Sequence, residues 1–169
     1  MSILLRPVPY SFICEHVVLT WRDALWGYER QLIHWSDIVE IARDRLLRGS
    51  DNSLEIELSS LGKPEAQYTG ELLRALAGAD SEESGKDSDK KWLFLMLAWL
   101  FKNKESISDP LDEVERIYAE FDYPPEVACF VRYMPATDGY DSSRHSTEEN
   151  MARLFSKWEQ YLLVAKQGL

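Results

Sequence analysis

Apolar positions recur along most of this chain at the spacing of helix faces, and the residues between them read as helix caps. In LTWRDALWGYERQLI (19–33), Thr20 precedes the first turn and Asp23 follows three residues on. Hydroxyl and carboxylate at that spacing can satisfy each other's backbone amides. Ser36 precedes DIVEIARDRLL, where Ile38, Ile41, Ala42 and Leu46 share a face and Gly49 marks the end. Residues 65–77 carry a third helical pattern despite Gly70, which costs about 1 kcal/mol against alanine. Asp109 and Pro110 open LDEVERIYAEF, whose Leu111, Val114, Ile117, Tyr118 and Phe121 form one stripe and whose Asp112, Glu113, Glu115 and Glu120 take the other face. Pro124 and Pro125 predict a short helix, PEVACFVRY, closed by Pro135. Ser146 and Glu149 form a capping box for a final helix of about eighteen residues.

One element is apolar on every side. WLFLMLAWLF (92–101) is half the length a membrane span requires, so it belongs at the centre of a helical core. Its Trp92, Met96 and Trp99 read as packing and not as a cofactor box. In SLEIELSSL (53–61), Leu54, Ile56 and Leu58 alternate as in a strand, so a minor β element is an alternative there. No pair of strands flanks a two-residue turn. The expected fold is therefore all-α, a compact helical bundle-like single domain over 1–169. The run GADSEESGKDSDK is expected to be a flexible polar loop around 78–90.

Composition supports a packed core, with 45% hydrophobic and 12% aromatic residues. Cys14 and Cys129 each lie in an apolar run, which suggests small buried hydrophobes, and two cysteines do not make a disulfide framework. The N-terminal MSILLRPVPYSFICEH is broken by Arg6, Pro7 and Pro9, unlike a signal sequence, so a cytoplasmic setting is expected, with no membrane association. The formal charge of −10 changes the picture more, because residues 105–149 carry twelve acids and three bases. Such a field repels phosphate and steers basic partners inward. A helix-turn-helix reading of 20–48 fails on the same ground, since charge there is near zero, and no nucleic-acid partner is expected.

Chemistry is sparse. The chain has no phosphate loop, no dinucleotide fingerprint, no H-E-x-x-H, no C-x-x-C and no G-x-S-x-G. His16 and His34 read as partly buried, hydrogen-bonded rings. Asp138, Asp141, His145 and Glu148 offer oxygen and imidazole ligands, but each has a turn or cap role available, and they lack the five-ligand rhythm of a calcium loop. No cofactor and no catalytic residue is assigned. Residues that suit a partner surface are Arg132, Tyr133, Asp138, Tyr140 and Asp141 in FVRYMPATDGYD, with Trp21 and Arg22 as further candidates. Tyrosine and arginine bury large contact areas at low entropic cost.

Four segments, LTWRDALWGYERQLI, KWLFLMLAWLF, DPLDEVERIYAEFDYPPE and FVRYMPATDGYDSSRHSTEENMARLFSKWEQYL, together resemble a family of small acidic bacterial proteins of unknown function. The TWRDxLWG and FVRYMPxxDGYD segments are the most specific parts of that resemblance. It implies a compact helical protein of the bacterial cytoplasm and offers no catalytic residues to carry over; with the catalytic motifs absent, an enzyme is not expected. It also implies a role as an immunity protein, whose partner is a basic, nuclease-like toxin domain. A generic helical interaction module is the alternative, followed by a metal-dependent enzyme using Asp138, Asp141 and His145.

Overall fold

The computed structural model describes residues 6–169; the first five residues of the N-terminal stretch discussed above lie outside the described residues. Among the described residues there are eight α-helices and no strand. They are α1 (Tyr10–His16), α2 (Trp21–Glu29), α3 (Trp35–Leu47), α4 (Ser53–Ser59), α5 (Thr69–Ala79), α6 (Ser88–Lys102), α7 (Pro110–Glu120) and α8 (Thr147–Gln167). The chain divides into two compact units, one running to Leu95 and the other Met96–Leu169.

In the first unit, α3 packs on α4, and α2 and α4 pack on α5. The capping box of α2 forms as its sequence implies: the Asp23 amide donates to Thr20 Oγ1 at 3.0 Å, and the Thr20 amide donates to Asp23 Oδ2 at 2.9 Å. The Asp23 carboxylate is fully buried. It also accepts from Ser88 Oγ at 2.6 Å and pairs with Lys91 Nζ. A buried charge persists only when it is paired and hydrogen-bonded in this way. The Trp92 indole donates to the Asp23 carbonyl at 2.8 Å and lies against Gly27, where a Cβ would fall 2.2 Å from Trp92 Cζ2. Only glycine admits this approach of ring to helix.

The 53–61 segment is helical, not a strand. Asn52 Oδ1 accepts from the Leu54 and Glu55 amides and starts α4. Glu55 and Leu58, three apart, are the buried positions, while Ile56 is exposed. The alternation is overridden by the cap and by a polar anchor: Trp21 Nε1 donates to Glu55 Oε1 at 2.8 Å. The polar run at 78–90 contains a 3₁₀ turn, Glu82–Gly85, tied to the start of α2. Thr20 Oγ1 donates to the Ser84 carbonyl, and the Trp21 amide donates to Asp80 Oδ2. The cap of α3 is His34 and not Ser36, whose amide donates to His34 Nδ1. His34 is accordingly exposed.

In the second unit, Asp109 caps α7 with Pro110 in the first helical position, as its sequence implies. The PEVACFVRY segment is not a continuous helix; it holds a single 3₁₀ turn, Ala128–Phe130. Val127, Phe130 and Val131 are the buried residues there, and that 3, 4 spacing spans barely one turn. The 3₁₀ turn packs on α8, where the Phe130 ring stacks on Trp158 at 6.0 Å and 4°. Helix α8 begins at the Ser146–Glu149 capping box. Both cysteines are free and exposed, contrary to their apolar sequence context. In each case the neighbour, Ile13 or Phe130, takes the core position, and the helical turn carries the thiol outward.

Candidate functional site

The stretch that follows Phe130 is held to the second unit by charged side chains. Arg132 reaches back to α7: its Nε donates to Glu115 Oε2 at 2.7 Å, and its Nη1 lies 3.1 Å from both Asp109 oxygens. Further on, Gly139 takes φ +81°, which frees the chain to turn. The Tyr140 amide then donates to Asp138 Oδ1. Tyr140 is enclosed on both faces. His145 stacks on its ring at 4.6 Å and 11°, and the Arg153 guanidinium lies 4.1 Å from its centroid. Its hydroxyl donates to Asn150 Oδ1 at 2.6 Å.

Asp138 closes this arrangement. It takes Lys157 Nζ at 3.0 Å and Arg153 Nη2 at 2.8 Å. Lys157 and Arg153, with the Tyr140 amide, hold its carboxyl well below the usual carboxylate range. Asp141 accepts from the Ser143 hydroxyl and amide, and those two bonds lower its pKa. Between the loop and α8 lies a cleft of about 390 Å³. Its walls include Arg132, Met134, Tyr140, Asp141, Asn150 and Arg153.

The structure thus places Arg132, Tyr140 and Asp141 on the walls of one cleft, holds Asp138 to it through Arg153, and leaves Tyr133 exposed. The other two candidates belong elsewhere. Trp21 is 2% exposed with its indole nitrogen bonded to Glu55, so its expected surface role is corrected to a core one. Arg22 donates through Nε and Nη2 to the Asp80 carbonyl and so fastens the 80–85 turn to α2. Among the described residues, no group of three or more His, Cys, Asp or Glu could hold a metal ion. Asp138 is spent on Arg153 and Lys157, and His145 on Glu149 at 3.0 Å. The sequence reading passed over Asn150, Arg153 and Lys157. Their i, i+3, i+7 spacing on a capped helix is the sign that they share a face.

Residues 10–166 match the family described as "Uncharacterized protein conserved in bacteria (DUF2247)". The chain belongs to that family. No curated protein and no solved structure matches it. For DUF2247 the cleft residues therefore have to be read from their geometry alone, which offers hydrogen-bonding edges, two guanidinium groups and an aromatic floor. The cleft walls mix charged and amide side chains with Met134, Pro135 and Leu154. Such a surface suits recognition of another polar chain.

Proposed function

We propose that this DUF2247 chain is a non-enzymatic protein-binding domain that serves as an immunity protein, occluding a basic, nuclease-like toxin. The observation that supports this reading is a cleft walled by Arg132, Tyr140 and Asp141, with Tyr133 exposed next to Arg132 in sequence, within the most acidic segment of the chain. Arg132 and Tyr140 are held in place by charge pairs and stacking before any partner arrives. Binding then costs little side-chain entropy, which is what makes an anchor effective. The acid excess of residues 105–149 supplies long-range attraction for a basic partner and raises the association rate more than the affinity. An occluding protein of this kind needs shape and charge and no reactive constellation of its own.

The test is co-purification with the protein encoded beside this chain. A complex is expected whose association rate falls steeply as salt rises. Tyr133→Ala should weaken it by roughly 30-fold, the effect of removing an anchor worth about 2 kcal/mol, with helicity unchanged. A neighbouring gene without a secreted or toxin-like product, together with no complex, overturns the reading.

A further inference from the structure

A second surface in the same unit points to the chemistry of what is bound. The chain leaves α7 through two consecutive non-glycine residues in the left-handed region, Asp122 at φ 62° and Tyr123 at φ 57°. The turn is fixed by the Tyr123 amide donating to the Tyr118 carbonyl at 2.8 Å. It delivers the Tyr123 ring edge-on to Tyr118, with centroids 5.2 Å apart at 85°. Tyr118 also meets Tyr133 at 6.3 Å and 58°. Tyr118 is buried, whereas Tyr123 and Tyr133 are 56% and 59% exposed. A buried ring thus buttresses two displayed ones, set at steep angles to it.

The charge around these rings is predominantly acidic, because the flanking Arg116 and Arg132 are already paired with carboxylates of α7 and of Asp109. From 117 to 131 the chain carries Glu120, Asp122 and Glu126 and no lysine or arginine. All three acids are exposed. Partial desolvation, the Tyr118 and Tyr123 phenols and the Glu115 carboxylate together push the Tyr133 hydroxyl up from its ordinary range, so these groups share one electrostatic neighbourhood. Tyrosine faces attract cations through the ring quadrupole, and carboxylates beside them add to that attraction.

We propose that Tyr123 and Tyr133 form a receptor for a guanidinium group, an arginine side chain of the protein partner, stacked on the exposed rings and paired with the flanking acids. Guanidinium fits better than ammonium because it is planar, stacks on aromatic faces, sheds water more readily and pairs with carboxylates through two parallel hydrogen bonds. The inference rests on the protein-binding reading above and specifies what a basic partner would insert.

The experiment titrates the full chain with a glycine-spaced peptide carrying three arginines, and with matched lysine and citrulline peptides, read by backbone amide shifts. Saturable shifts are expected at residues 118–134 with arginine, roughly three- to fivefold weaker binding with lysine, and none with citrulline. The Tyr123→Leu/Tyr133→Leu variant keeps apolar bulk without the phenol ring, and it should lose these shifts while the remaining spectrum is unchanged. Equal binding of the arginine and lysine peptides, shifts confined to other regions, or full binding by the variant each overturns the inference. Loss of the neighbour-encoded complex with peptide binding intact would count against the immunity reading alone. A complex indifferent to both substitutions, with no peptide binding, would count against the receptor alone.

Discussion

Arg153 lies over the ring of Tyr140, 4.1 Å from its centroid, while its Nη2 reaches both oxygens of Asp138 at 2.8 Å. One guanidinium therefore fixes an aromatic side chain and a carboxylate of the same loop onto α8. Asp138 titrates below its ordinary value of 3.8 because Lys157 and Arg153 favour its charged form. A depressed folded-state pKa contributes stability above 3.8 that is lost as pH falls towards the folded value. Asp138→Asn should be less stable than wild type near neutrality. The gap should close below pH 3.8 in urea unfolding curves.

Gly27 lies against the Trp92 indole with no space for a methyl group. Gly27→Ala raises helix propensity by about 1 kcal/mol, yet overpacking against a rigid ring costs about 1–3 kcal/mol or more. Net destabilisation is expected, with a lower Tm. An unchanged or higher Tm would mean that the ring yields easily.

Asp23 is a fully buried charge in the first unit, accepting from Thr20, Ser88 and Lys91. Asp23→Asn leaves Lys91 without its countercharge in a site where the lysine side chain is only 19% exposed. Breaking a buried pair from one side costs roughly 3–5 kcal/mol. A double variant that also replaces Lys91 by Met should recover part of that loss in a denaturant titration.

Tyr10 donates to Asp44 Oδ2 at 3.0 Å, and burial and then that bond push its hydroxyl up from 10.0 to about 12. With the folded value above the unfolded one, its contribution is complete below pH 10.0 and is lost as pH rises through about 12. Tyr10→Phe, which has no proton to lose, should unfold less steeply across that window. Parallel curves for the two proteins would refute the assignment.

The left-handed turn after α7 invites a stabilising substitution. A non-glycine residue there carries a penalty of about 1–2 kcal/mol, of which glycine's extra unfolded-state entropy offsets about half. Asp122→Gly should therefore raise stability by about 0.5–1 kcal/mol. If Asp122 also pairs with an incoming guanidinium, the same variant should bind the arginine peptide more weakly. Gln31→Gly, at φ 61° after α2, is the matched control, stabilising with no effect on binding.

Local signals carried much of this architecture. The boxes at Thr20–Asp23 and Ser146–Glu149 and the Asp109–Pro110 start are governed by backbone amides a few residues away, so sequence spacing is sufficient to place them. Segment 53–61 misled because its alternation is real, but the deciding partner, the Trp21 indole, lies 34 residues away. The same distance problem hid Trp21's buried role and the work of Arg22 at Asp80. Around the cleft, Arg132 and Tyr140 were legible as residue types. Arg153 and Lys157 were not, because nothing in a helix face marks which loop carboxylate it will meet.

Asp109 performs two tasks with one carboxylate: it accepts from the Asp112 amide at the first turn of α7 and it holds Arg132. Helix initiation and loop anchoring therefore share one carboxylate and are coupled through it. The two segments should exchange their amide protons as one cooperative unit, with a common opening free energy. A partner that draws Arg132 towards itself would then be felt within α7 as a loosening of its first turn, some twenty residues back along the chain.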